Sequence, residues 1–233
     1  MHRTILVTAL TALLVWPLSS GCKPKAEPPP PEEGPPAEET AEEATGEEGE
    51  AAEEEVEGKP PAAGKKAVMV IACKDFRDEE LAEPRKALEE AGVAVTVAAT
   101  SLEGCKGMKG AEVTPDALVS DLVADEYDLA VFVGGSGSAA YYEDEDVLAF
   151  AREADEDGLV IGAICLAPGI LAKAGVLDGL EVTAYDADMA RKALEEGGAT
   201  YTGDPVTVDG VVVTGNGPEA ASQFGEKLVE VLE

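Results

Sequence analysis

Histidine is almost missing from this chain of 233 residues: the one present is His2. It lies in an amino-terminal stretch expected to be removed, so the mature protein would carry no imidazole. That excludes a Cys-His or Ser-His-Asp mechanism within one chain or between identical chains. It also removes the commonest metal ligand, and the four cysteines show no paired spacing, so no metal site and no cofactor are expected. Positive charge is equally scarce, with 17 Lys and Arg against 48 Asp and Glu and a net charge of −31. Such an excess repels phosphate backbones and anionic lipid headgroups, which argues against nucleic acid as a partner and against direct adsorption to a membrane surface. Aromatic residues make up only 4%, and the apolar runs are short.

What is present begins with a basic pair, His2-Arg3, followed by the uncharged apolar stretch from Ile5 to Trp16 and the small residues of Leu18-Ser19-Ser20-Gly21-Cys22. A run of about a dozen apolar residues is short for a membrane-spanning helix and has the layout of a secretory signal. Leu18 to Cys22 resembles a bacterial lipobox. Residues 1–22 are therefore expected to be a lipoprotein signal peptide. Acylated Cys22 would be the anchor in a lipid bilayer, placing the protein in the bacterial cell envelope, periplasmic or surface-exposed. Residues 23–64 hold 14 Glu and three Lys with no aromatic residue. Such a segment has too little apolar surface to offset its ordering entropy and reads as a disordered acidic tether. A net charge of −21 remains on residues 65–233, a length suited to one domain.

Within that domain, Ala67 to Ala72, Leu129 to Val133 and Leu159 to Ile164 are near-continuous apolar runs of strand length, as in parallel strands covered on both faces. Val93 to Ala99 is a further strand. Asp78 to Ala91, ended by Gly92 and weakened at Pro84, reads as a helix, as do Asp144 to Asp157 and Cys165 to Ala174. Thr114-Pro115 has the form of an N-cap followed by Pro at the first helical position. Glu181 to Tyr185 is expected as a short strand before a helix at Asp186 to Glu196. Val206–Val208 and Val211–Val213 form a hairpin around Asp209-Gly210, and Pro218 to Leu232 closes the chain as a helix. Alternating strands and helices predict an α/β fold with a mostly parallel sheet and helices on both faces. Chemistry in such sheets gathers at the carboxyl ends of the strands, where Cys73 to Glu80, Gly134 to Ser138, Cys165 and Tyr185 all fall.

Cys165 stands between an apolar strand and Leu166-Ala167-Pro168-Gly169, a place where an abrupt strand-to-helix turn would project its thiol. A helix start there is expected to lower the thiol pKa. The pattern of Ala163-Ile164-Cys165-Leu166-Ala167-Pro168, Phe132-Val133-Gly134-Gly135 and Phe76 to Pro84 resembles the signature segments of the DJ-1/PfpI superfamily, in its order and spacing. Thr214-Gly215-Asn216-Gly217-Pro218 matches a fourth segment. The resemblance implies a flavodoxin-like three-layer sandwich with the class I glutamine amidotransferase-like fold, commonly a homodimer. By position it implies Cys165 as the reactive cysteine, Glu80 as the carboxyl that hydrogen-bonds it, and the backbone N–H groups of Gly135 and Leu166 as an oxyanion site.

One departure from the family governs the expected chemistry. Leu166 stands where PfpI-type members have a histidine, so peptidase activity is discounted, and Tyr185 is the candidate hydrogen-bond donor in its place. The remaining routes use a small oxidant or a small carbonyl at Cys165. One is stepwise oxidation of the thiol in a redox or stress role; the other is glyoxalase-like addition to an α-oxoaldehyde. If there is turnover, the enzyme would be a cysteine-dependent carbonyl-processing enzyme or a hydrolase of the amidotransferase fold. A non-catalytic binding or chaperone-like module is the third class. Gly135 to Ala140 fits a Gly-x-Gly-x-x-Ala pattern, but it follows a late strand and is better read as the oxyanion loop. Cys73 and Cys105 follow neighbouring strands and are a possible disulfide.

Overall fold

The computed structural model describes Pro60 and residues 62–233. The expected signal segment with Cys22, and nearly all of the tether at 23–64, lie outside the described residues.

Five parallel strands form the centre of the fold: β1 (Lys66–Val70) is followed by β2 (Lys74–Phe76) in a side sheet, then helix α1 (Asp78–Glu90) and β3 (Ala94–Ala99). A second excursion, β4 (Cys105–Gly107) and β5 (Glu112–Val113), joins β2, and the chain returns through β6 (Ala117–Leu118) to β7 (Leu129–Phe132). Helix α2 (Glu145–Glu156), β8 (Val160–Ile164) and helix α3 (Pro168–Ala174) come next, then β9 (Glu181–Val182), helix α4 (Asp188–Glu196) and β10 (Thr200–Tyr201). The hairpin β11 (Val206–Asp209) and β12 (Val212–Gly215) leads into helix α5 (Ala221–Leu232). The main sheet has the order β11-β12-β8-β7-β1-β3-β6. All of its pairings are parallel except that of β11 with β12.

Alternation along the buried strands divides their side chains between two cores. Met69, Val131 and Ile164 pack with Leu81 and Leu88 of α1 and Phe224 and Leu228 of α5. Val68, Val70, Phe132 and Ile161 pack with Phe150 of α2, Leu171 of α3 and Leu194 of α4. Both faces are covered, which is why these strands read as continuous apolar runs rather than alternating ones. Helix α1 runs through Pro84, and the bare backbone of Gly225 lets α5 approach it: a Cβ there would lie 2.8 Å from the Pro84 Cα. Asp144, just before α2, caps it by accepting from the N–H groups of Asp146 and Val147.

Four local expectations are corrected. No helix starts at Thr114-Pro115; Asp116 instead exchanges bonds with Val97, N–H to carbonyl at 2.7 Å and carboxylate from N–H at 2.9 Å, and leads into β6. The open edge of β3 supplies partners that a helix start would have had to find locally. Glu181–Val182 is the only strand in its stretch, pairing with β10 in a separate two-stranded sheet. Asp209 is the last paired residue of its strand, so the hairpin turns on Gly210-Val211, while the Asp209 carboxylate accepts from Glu181 N–H at 2.9 Å. Finally, α3 begins at Pro168, so Cys165 lies in a turn rather than in the helix.

Candidate functional site

That turn is tightly specified. Cys165 has φ of 65°, the left-handed region that non-glycine residues rarely enter. Its N–H donates to the Gly215 carbonyl of β12 at 2.8 Å, and its own carbonyl accepts from Tyr185 N–H at 2.8 Å. The end of β12 and the segment following β9 thus fix the residue, which is only 8% exposed. Tyr142 supports the next residue by donating its hydroxyl hydrogen to the Leu166 carbonyl at 2.7 Å. Gly169 leaves the space that the Tyr142 ring occupies.

Glu80, on the first turn of α1, is completely buried, and neither of its carboxyl oxygens has a partner of hydrogen-bonding geometry. The groups that face it are the Cys165 thiol and the Gly134 N–H. Gly134 makes this possible: a Cβ on it would lie 2.5 Å from Glu80 Oε2 and 2.6 Å from the Cys165 Cβ. The carboxyl and the thiol therefore share the space that a side chain would fill. Pro84 contributes nearby, since it has no N–H to give to the Glu80 carbonyl one turn back.

Burial dominates the electrostatics. It pushes the Glu80 carboxyl up to about 7, opposed by the contact with Cys165 and by the charge of Arg77. Burial also pushes the Cys165 thiol up to about 12, helped by the charge of Glu80 and opposed by the N–H groups of Gly135 and Leu166. The expected lowering of the thiol pKa is thus corrected. The sulfur is largely removed from water, an adjacent carboxylate disfavours a second negative charge, and α3 starts too late to compensate. At neutral pH the sulfur keeps its proton, while Glu80, with a pKa of about 7, is divided between the acid and a carboxylate that can take a proton from the thiol.

The structure brings together Cys165, Glu80, Gly135, Leu166 and Tyr185 around one cavity of about 700 Å³. The N–H groups of Gly135 and Leu166 face the sulfur. Tyr185 lines the cavity with half its surface exposed, and its recorded link to Cys165 is the backbone bond described above. Three contributors carried no role in the sequence reading. Tyr142 holds the Leu166 carbonyl. Arg77 lines the cavity and donates its backbone N–H to the Gly134 carbonyl at 3.0 Å. Ser138, fully buried, donates its hydroxyl to the Gly135 carbonyl at 2.8 Å and so braces the loop that presents an N–H to sulfur. Only Arg77 and Ser138 had a signal available, as members of the segments quoted for the resemblance and for the glycine pattern.

Cys73 and Cys105 are joined as a disulfide, with Cα atoms 4.1 Å apart. Among the described residues Cys165 is the free cysteine, and no His, Cys, Asp and Glu cluster suited to a metal ion is found.

Residues 65–231 match the DJ-1/PfpI family. Protein MJ0967 of Methanocaldococcus jannaschii is 40% identical over 169 residues, spanning 72% of this chain and 82% of that protein. The glutathione-independent glyoxalase DJR-1.2 of Caenorhabditis elegans is 30% identical over 172 residues, spanning 74% of this chain and 91% of its own. Among solved structures, the ThiJ/PfpI domain protein from Brachyspira murdochii is similar with a TM-score of 0.68 at 30% identity, over 75% of this chain and 98% of its own. The fold, the order of the segments and these similarities agree: the chain belongs to the DJ-1/PfpI family.

Proposed function

We propose that Cys165 is a redox-responsive thiol whose oxidation is assisted by Glu80. The observation that carries this reading is the buried, otherwise unpartnered Glu80 carboxyl against the thiol, with its pKa raised to about 7. A base with a pKa near the working pH is well matched to proton transfer. Glu80 takes the proton from Cys165 as the sulfur attacks the outer oxygen of a peroxide. The O–O bond breaks, the leaving alkoxide or hydroxide takes up a proton from the buffered solvent to leave as alcohol or water, and sulfur becomes a sulfenic acid. A second equivalent of peroxide gives the sulfinic acid. The protonated carboxyl of Glu80 and the N–H groups of Gly135 and Leu166 then donate to the sulfur-bound oxygens. The test is mild peroxide followed by peptide mass measurement: oxygen should add at Cys165, and a thiol left unmodified refutes the reading.

A second reading is favoured by the cavity of about 700 Å³ at the sulfur and by the similarity to DJR-1.2. Here Cys165 adds to the aldehyde carbon of an α-oxoaldehyde, its proton passes by way of Glu80 to the carbonyl oxygen, and a hemithioacetal forms. Consumption of methylglyoxal that vanishes in Cys165→Ser supports it; consumption no faster than without protein removes it. Inertness in both assays leaves a binding module. As to location, the lipobox-like segment ending at Cys22 supports an envelope lipoprotein, and the Cys73–Cys105 bond fits an oxidising compartment.

A further inference from the structure

The loop that presents the Gly135 N–H to sulfur has almost no freedom of its own. A Cβ on Gly135 would collide with the Asp75 carbonyl, the Phe76 carbonyl carbon and the Arg77 nitrogen, and one on Gly137 would collide with the Lys74 carbonyl. Residues 74–77 therefore cross the glycine loop at backbone contact, and the bond from Arg77 N–H to the Gly134 carbonyl ties the two together. The position of residues 74–77 sets the position of the oxyanion donor.

On its other side this segment has a slender support. β2 pairs only with β4, through Lys74 with Lys106 and Phe76 with Gly107, with an irregular register between them. Lys106 N–H donates to the Cys73 carbonyl and Met108 N–H to the Phe76 carbonyl, each at 2.9 Å. Isolated ladders this short are marginal. The Cys73–Cys105 disulfide joins them covalently at the end where β2 begins. Beyond β2, Asp78 accepts from the N–H groups of Lys109 and Ala111 at 2.8 and 2.7 Å, holding the β4–β5 turn against α1. Glu80 follows two residues later, and Met108 of the same turn forms part of the wall of the Cys165 cavity.

We propose that the Cys73–Cys105 disulfide is a positioning clamp for the thiol site, and that opening it lowers the reactivity of Cys165. The proposal rests on the reading of Cys165 as a reactive thiol. The sulfur of Cys73 is reachable, because this half-buried residue lines a second cavity of about 740 Å³ with Lys74, Lys106 and Lys109, whereas Cys105 is fully buried. The opening agent is a small dithiol. One of its thiolates attacks the Cys73 sulfur and forms a mixed disulfide, and Cys105 leaves as a thiolate that takes a proton. The second thiol then displaces Cys73 and closes the reductant's own disulfide, so two electrons pass to the protein. β2 and β4 are left joined by hydrogen bonds alone, and the Gly135 N–H is aimed less well at Cys165.

The experiment compares the full chain with its disulfide intact, the same chain after dithiol reduction and removal of the reductant, and the double variant Cys73→Ser/Cys105→Ser. Alkylation of Cys165 by iodoacetamide is followed by peptide mass from about pH 6 to pH 10, below the titration of the buried thiol. Opening the disulfide is expected to slow alkylation on the order of fivefold at every pH in this range, as for weakening one hydrogen bond to a charged sulfur. Equal rates across the range in the three samples overturn the clamp. Faster alkylation overturns it too, because that is what general loosening or unfolding of a buried thiol produces, in the reduced protein or in the variant. Peroxide separates this outcome from the functional reading: if Cys165 resists peroxide yet its alkylation still follows the disulfide, the redox reading falls and the clamp stands. Resistance to alkylation in every sample removes the clamp.

Discussion

Glu80 and Cys165 occupy the space of one missing side chain, that of Gly134, and neither carboxyl oxygen has a partner of hydrogen-bonding geometry. The consequence is a pair in which proton position, rather than a standing thiolate, controls reactivity. Peroxide oxidation of Cys165 should therefore accelerate as pH rises through about 7, where Glu80 loses its proton. Glu80→Gln should remove that inflection and slow oxidation by about 10²-fold, the lower range for general-base assistance. Timed quenching and mass measurement across this pH range decide it; an inflection that survives in Glu80→Gln assigns the base elsewhere.

Stability should depend on the same group. Glu80 binds its proton more tightly folded than unfolded, with a pKa raised from an ordinary 4.5 to about 7. Its contribution is thus fully present below the unfolded value and is lost as pH rises through the folded one. The shift corresponds to about 3 kcal/mol lost on the alkaline side. Glu80→Gln should match the parent protein in urea unfolding at acid pH and exceed it by about 3 kcal/mol once the parent's carboxyl is ionised. A variant that is less stable at both extremes contradicts this.

Gly134→Ala should fail for a steric reason. Its Cβ would lie 2.5 Å from both Glu80 Oε2 and the Ile164 carbonyl oxygen. Because the neighbours are a buried carboxyl and strand backbone, the loss is expected at about 3 kcal/mol, measured by denaturant unfolding. Alkylation of Cys165 should change with it, since Glu80 must leave its place.

Tyr142→Phe tests the support behind the nucleophile turn. Removing the hydroxyl takes away the 2.7 Å bond to the Leu166 carbonyl and should cost about 1 kcal/mol. The Leu166 N–H faces the sulfur, so the rate of Cys165 oxidation should fall as well, by less than in Glu80→Gln. Unchanged unfolding and unchanged oxidation would show that the turn holds itself.

The buried strands were legible because two covered faces demand apolar residues at every position, as at Ala67 to Val70 and Leu129 to Phe132. The helix terminator at Gly92 was legible because capping is a local matter. β2, β4 and β10 were not legible: Lys74–Phe76, Cys105–Gly107 and Thr200–Tyr201 are two or three residues long and largely polar. They are strands only because other strands lie beside them. Thr114-Pro115 misled for the same reason, as a good local helix start lost to the open edge of β3.

The sequence by itself determined that Cys165 stands at a strand end and that a mature chain without His2 has no imidazole to activate the thiol, while its resemblance to the family's segments brought Glu80 and the glycine pair to the same site. Residue identity and spacing are enough for such statements. Only the tertiary structure decided the proton balance and the support of the site. Glu80 is acidic-helix surface by pattern and becomes a carboxyl with a pKa of about 7 because α1 packs it under Gly134. The thiol rises rather than falls because burial and that carboxylate outweigh two backbone donors. Charge stability depends on what surrounds a group in three dimensions, and that is fixed only when distant segments meet.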